Sequence, residues 1–224
     1  MIDSNNIFNE LMGKGAVWCG ANLDAGDLAQ VAAFVVDNGV DLVSLPANGV
    51  QIMWPWLENK NVRIVSRFYF PNKKITVDQV SDVTGQINAV FKSGAIGAQV
   101  FLPYAALDDL VAQTHIIRDD LFFNRDLSIG IDVAEIEAYD WQDLFANLQK
   151  INATSLLLVM TNDAGNKSDF VGRLYGMLDA WNDDNKFDLH FAFGPNFMRI
   201  EQVLRLVESM RPELNNRLKF WVNF

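Results

Sequence analysis

The sequence is poor in the residues that announce most chemistries. Its 224 residues include one cysteine, Cys19, and two histidines, His115 and His190. A single thiol rules out an intramolecular disulfide and a Cys-rich metal centre, and two distant histidines cannot supply the clustered ligands of a zinc hydrolase. Cys19 sits in an apolar stretch, where it reads as a small buried residue rather than a nucleophile. Positive charge is scarce too: 18 Lys and Arg face 28 Asp and Glu, for a formal net charge of −10. Such a surface repels phosphate backbones and anionic headgroups, and the one lysine doublet is Lys73-Lys74, so neither nucleic acid nor a membrane surface is an expected partner. No apolar run approaches a membrane span. Residues 1–15 lack the apolar core of a signal peptide, which makes the cytoplasm the expected location. Also missing are the GxSxG, P-loop, dinucleotide and HExxH patterns.

What remains is a regular alternation of strands and helices. Half of the residues are apolar and 21% are charged, the balance of a folded domain able to bury a core. Residues 16–49 read as strand, polar turn, amphipathic helix, Gly turn and second strand. Similar units follow at intervals of roughly thirty residues, the grammar of a parallel sheet and, at eight repeats, of a closed barrel. Strands are expected at 17–23, 40–45, 62–70, 96–102, 127–133, 155–160, 187–193 and 218–222. Asp24 reads as an N-cap with Asp27 behind it, Thr76-x-x-Gln79 is a capping box, and Asp140 is placed to cap a helix to about Lys150. Pro55, between Trp54 and Trp56, predicts at most a short helix after the second strand. The reading is therefore one α/β domain, residues 1–224, a (β/α)8 TIM barrel. A short helix over 5–12 forms an N-terminal extension (1–15), and no helix follows the eighth strand. The outer face of that strand, Phe220 and Val222, then needs cover from the N-terminal helix or from a second copy of the chain, so a homo-oligomer through the strand 8/strand 1 side is expected.

Strand alternation assigns the interior. The smaller or more polar parity of each strand gives Gly20 and Asn22, Ser44 and Pro46, Arg67 and Tyr69, Gly97 and Gln99, Gly130 and Asp132, Val159 and Thr161, His190 and Ala192, Trp221 and Asn223, while the other parity is mostly Ile, Val, Leu and Phe. In this architecture function collects at the C-terminal strand ends. The candidate shell is Asn22, Asp24, Ser44, Asn48, Arg67, Tyr69, Gln99, Asp132, Glu135, Asn162, His190 and Asn223. Arg67 carries most weight, because a guanidinium inside a barrel needs a counter-charge: either Asp132 as a structural ion pair, or the carboxylate or phosphate of a ligand. Asp132 and His190 are the candidate proton-transfer groups. Asn22, Ser44, Asn48, Tyr69, Gln99, Asn162 and Asn223 are candidate substrate-binding groups. The bland alternatives are a helix cap for Asp24, an exposed loop residue for Glu135 and a hydrogen-bonded core residue for His190. No cofactor is implied. A divalent cation held by Asp24, Asp132 and Glu135 is the weaker option, with no supporting spacing.

In its order of elements the chain resembles the compact aldolase-like and phosphate-binding (β/α)8 barrels, over almost its whole length but in architecture only. It departs from them in two respects. A Schiff-base aldolase uses an interior lysine near the mouth, whereas Lys219 opens the eighth strand and Lys167 lies in a loop. The paired glycine loops of the phosphate site are reduced to Gly194-Pro195-Asn196. The resemblance thus implies a fold and not a set of catalytic residues. Two functions fit: an enzyme of lyase, isomerase or epimerase type acting on a small anionic metabolite by proton transfer, or a barrel without catalysis that serves as a binding or assembly subunit.

Overall fold

The computed structural model describes residues 11, 13–114, 125–160, 167–193 and 197–224, with the backbone alone described for 167–169 and 197. The sequence-expected helix over 5–12, apart from Leu11, and His115, Thr161, Asn162 and the Gly194-Pro195-Asn196 turn fall outside these residues.

Eight parallel strands close into a barrel in sequential order: β1 Gly15–Trp18, β2 Leu42–Pro46, β3 Arg63–Tyr69, β4 Gly97–Phe101, β5 Asp126–Asp132, β6 Ser155–Val159, β7 Asp188–Ala192 and β8 Leu218–Asn223. Among the described residues the helices are α1 Ala25–Asp37, α2 Ala47–Leu57, α3 Val77–Lys92, α4 Leu107–Ala112, α5 Trp141–Lys150, α6 Lys167–Ala180 and α7 Phe197–Met210. This is the (β/α)8 fold read from the sequence. No helix among the described residues is long and apolar enough to cross a membrane.

Local chemistry explains where the helices begin. Asp24 and Asp27 form a reciprocal capping box at the start of α1, and Thr76 and Gln79 form another at α3, each satisfying amides that the first turn leaves orphaned. Leu28, Val31, Ala32 and Val35 give α1 its buried stripe. Asp140 behaves differently from its sequence reading: its carboxylate accepts from the Glu137 amide at 3.0 Å and makes no cap bond to α5. Pro55 does not shorten the second unit, because α2 runs eleven residues and holds Pro55 inside. The proline lies near the helix's end, where losing one backbone bond is tolerated, and the packing of Val50, Met53 and Leu57 holds the turn.

The strand alternation is as expected. Val17, Val43, Ile64, Ala98, Ile129, Leu156, Leu189 and Phe220 belong to the large apolar cluster between strands and helices, whereas Ala16, Leu42, Val65, Phe101, Leu157 and Trp221 form a separate cluster inside the barrel. The β8–β1 seam shows which cover Phe220 and Val222 have. Phe220 is fully buried and Val222 is 4% exposed within the single chain, in the same cluster as Val17 and Leu11. These two residues are thus covered within one chain, the first of the two alternatives that the sequence offered.

Two glycines test this packing. At Gly94, φ is +109° and an added Cβ would lie 2.2 Å from the Trp54 ring, so Gly94→Ala should destabilise by roughly 3 kcal/mol. Gly85, within α3, has open space around it, and Gly85→Ala should stabilise by up to about 1 kcal/mol. Urea denaturation of both variants checks the pair.

Candidate functional site

Which interior side chains meet at one level depends on stagger as well as parity. The pairings Trp18↔Ser44, Ser44↔Val65, Val65↔Gly97 and Gly97↔Asp126 lead from the last residue of β1 to the first of β5. Hydrogen-bonded partners thus descend around the barrel because the strands tilt, and side chains at equal height come from alternate strands. The register sets Trp18, Arg67, Gly130 and Ala192 at one level. Ser44, Gln99, Leu157 and Trp221 fill the next level down. Ala16, Val65, Ser128 and His190 lie beneath those. Pro46, Phe101, Val159 and Asn223 stand above the Arg67 level, with Tyr69 and Asp132 at the rim.

Arg67 therefore sits just under the C-terminal mouth, 7% exposed. Its Nη2 donates to the Cys19 carbonyl at 2.5 Å and its guanidinium carbon lies 4.6 Å from the Trp18 ring centroid. No carboxylate pairs with it among the described residues. Burial draws its pKa below the ordinary value, partly offset by Tyr69 and Cys19, yet a guanidinium stays charged at any physiological pH. The sequence offered Asp132 as its structural partner. Instead the Asp132 carboxylate accepts from the Ala134 amide at 2.9 Å, closing the turn Val133–Glu135. Asp132 is two residues beyond Gly130 on β5, and Gly130 is the residue level with Arg67.

An aromatic wall surrounds the cation. Trp18 meets Phe101 edge-on at 5.5 Å and Trp221 at 6.0 Å, while Tyr69, 59% exposed, stacks on Phe101 at 5.0 Å. Gly130 makes room for this wall, since a Cβ there would stand 2.3 Å from the Phe101 ring. Trp18 is the member that sequence reasoning missed, although it shares parity with Gly20 and Asn22. The expected first strand ran over 17–23 and put the mouth at Gly20 and Asn22, whereas β1 ends at Trp18.

The other candidates separate into groups. Asn22, Asn48, Tyr69 and Asn223 are exposed at the C-terminal ends of β1, β2, β3 and β8, and Lys73 and Lys74 are exposed in the loop after β3. Ser44 and Gln99 are fully buried below Arg67, the serine hydroxyl donating to Gln99 Oε1 at 2.5 Å and leaving Gln99 Nε2 without a partner. Asp24 is occupied as a helix cap, and Glu135 accepts from the Tyr104 amide at 2.7 Å, joining the loops after β4 and β5. Cys19 is buried and its thiol is pushed up to about 12 by burial, against the pull of Arg67. It stays protonated at neutral pH. Among the described residues no group of three His, Cys, Asp or Glu is arranged to hold a metal ion.

His190 lies away from the mouth. It is two levels below Arg67, buried, with its ring 5.9 Å from Trp221, which lies between it and the upper barrel. Burial first, then Lys219 and Arg63, lower its pKa to about 3. The hydrogen-bonded core histidine of the bland reading is not found either, because Nδ1 has no partner.

The chain has counterparts in shape but not in sequence among the known proteins it was compared with. No protein-family model matches it, and no curated protein matches it significantly. Solved structures do match in shape. A Coccidioides immitis protein assigned as a deoxyribose-phosphate aldolase superposes with a TM-score of 0.70 at 11% identity, over 94% of this chain and 81% of that one. QR15, described as an aldolase, gives 0.68 at 11% identity over 99% and 92%. A tetrameric deoxyribose phosphate aldolase from Aeropyrum pernix gives 0.68 at 11% identity over 96% and 87%. At these identities the likeness establishes the aldolase-type TIM-barrel fold alone.

The lowered histidine pKa has a measurable consequence. Unfolded, the ring takes up a proton near pH 6.5; folded, it stays neutral down to about pH 3. The unfolded chain therefore binds the extra proton between these values, and stability falls as pH is lowered through the window, at up to about 1.4 kcal/mol per pH unit from this group. NMR titration should show the His190 ring neutral at pH 5, and His190→Gln should flatten the stability profile between pH 6.5 and 4.

Proposed function

We propose that the C-terminal mouth binds a small metabolite carrying a carboxylate or phosphate, with Arg67 as its counter-charge, and that Asp132 moves a proton in a lyase or isomerase type of reaction. The observation that supports this most is a buried guanidinium satisfied by one carbonyl and one aromatic face, with no carboxylate partner among the described residues. An unpaired buried charge is costly, and an anionic ligand completes its coordination with short charge-assisted hydrogen bonds. Lys73 and Lys74, exposed at the same end, raise the local anion concentration against an otherwise acidic surface. Tyr69, Asn22, Asn48 and Asn223 are the polar groups available to orient the ligand, as is Asn162 in the sequence reading. Ser44 and Gln99 support the floor beneath Arg67. The match in shape to proteins described as aldolases is consistent with lyase chemistry on a phosphorylated metabolite.

The reaction differs from a Schiff-base aldolase in its catalytic group. The interior positions of β6 are Ser155, Leu157 and Val159, and among the described residues no lysine faces inward in the upper barrel. A carboxylate acting as general base needs no such lysine. The second reading, a barrel that binds without catalysis, is favoured by one placement: His190, the other proton-transfer candidate, is kept neutral beneath Trp221.

Calorimetric titration with phosphate and with citrate tests the binding. Wild type should bind at least one of them, and Arg67→Gln should weaken that binding at least tenfold; equal affinities would remove Arg67 from the site. Solvent-deuterium incorporation into small phosphorylated aldehydes and ketones separates the two readings. Exchange that is lost in Asp132→Asn while binding persists supports catalysis. Binding without exchange in wild type supports the binding barrel.

A further inference from the structure

The two strand levels that form the floor and lower wall of the mouth hold a single charge. Level with Arg67 are Trp18, Gly130 and Ala192, and above them stand Pro46, Phe101, Val159 and Asn223. Of these neighbours only Asn223 is polar, and it is exposed at the end of β8. Trp18, Ala192 and Val159 face the barrel axis and pack on the inner cluster, yet each keeps partial exposure. Solvent reaches them from above, because the level beneath, Ser44, Gln99, Leu157 and Trp221, is sealed at 1% exposure or less. The mouth is therefore an apolar funnel that opens down to one guanidinium. Tyr69 continues its wall upward, with its ring 59% exposed and stacked on Phe101 at 5.0 Å.

The order of these groups selects the ligand. One face of the guanidinium lies against the Trp18 ring and Nη2 already donates to the Cys19 carbonyl, so what Arg67 offers is one charge and the donors left on its open edge. A carboxylate matches that offer in charge and in geometry. A phosphate monoester carries nearly two negative charges near neutral pH, and the second would enter a belt of rings and alkyl groups with no cation to meet it. The hydroxyls of a sugar would face the same belt and lose their hydrogen bonds to water without replacement. An apolar body instead removes both its own surface and the funnel's from water. Tyr69 stands two residues above Arg67 on β3, about 7 Å along the strand, which is the depth that a six-membered ring with a carboxylate fills. Polar groups return only at the rim, with Asn22, Asn48, Asp132 and Asn223.

We propose that the ligand of this mouth is a small monocarboxylate with an apolar or aromatic body, its carboxylate on Arg67 and its body in the belt of Trp18, Phe101, Val159 and Ala192, and not a sugar phosphate. This ligand class presupposes the role of Arg67 as counter-charge given above and narrows it. Polar substituents of such a ligand lie at the rim, beside Tyr69, Asp132 and Asn223, where the proton-transfer group stands.

Calorimetric titrations of the full chain with acetate, benzoate and glycerol 3-phosphate at equal ionic strength, each repeated on Arg67→Gln, test the assignment. Benzoate should bind wild type roughly tenfold tighter than acetate, the gain from burying one ring, and tighter than glycerol 3-phosphate, and Arg67→Gln should remove most of that binding. Ala192→Leu, which fills the belt at the Arg67 level, should weaken benzoate roughly tenfold and acetate far less. Acetate or glycerol 3-phosphate binding wild type as tightly as benzoate, with the binding lost in Arg67→Gln, would overturn the apolar ligand and leave Arg67 as counter-charge. Binding that is undiminished in Arg67→Gln, or no binding of any of the three anions, would overturn both.

Discussion

Every level inside this barrel is set by how β1 closes onto β8. The pairings Ala16↔Trp221 and Trp18↔Asn223 join the first strand to the last, and the stagger that makes this closure geometrically consistent tilts all the strands together. Side chains of one parity are then delivered to fixed heights, four to a level. That constraint sets Arg67 beside Trp18 and beneath Phe101, and it drops His190 under Trp221. Without the closure neither arrangement follows from any single strand.

The two halves of the interior answer different physical demands. The upper half surrounds a permanent cation with aromatic faces and one carbonyl, and it keeps Gly130 and Ala192 small at the same level. The lower half holds a ring that is forced to stay neutral, a buried serine pair and the Trp221 ring. At the pole below, Asp41, Arg63, Asp126 and Lys219 form a partly exposed charge network. Its individual pairs contribute little to stability, but the network sets the potential felt inside.

The fold was legible in the sequence because its rules are local. Capping boxes at Asp24 and Thr76 mark helix starts, and the contrast between small or polar and branched apolar residues assigned the inward parity of every strand. What local pattern does not encode is height. Arg67 and Asp132 were correctly read as interior, yet their expected ion pair is absent because the register sets Gly130, not Asp132, level with Arg67. The same stagger removed His190 from the mouth. Trp18 escaped notice for a different reason: the first strand was expected to reach residue 23, but it ends at Trp18, so the mouth begins lower on β1 than the pattern suggested. The cover of Phe220 and Val222 was left open because the sequence does not say which segment folds back over the seam.

The account rests on Arg67 being a cation whose counter-charge comes from outside the chain. The most direct test is a crystal structure of the protein soaked in phosphate or citrate, refined with attention to the density above the Arg67 level. Ordered anion density in contact with the guanidinium, with the Trp18 ring still against it, is the predicted result. A guanidinium turned to a carboxylate of the chain itself, with no anion at the strand ends, would contradict it.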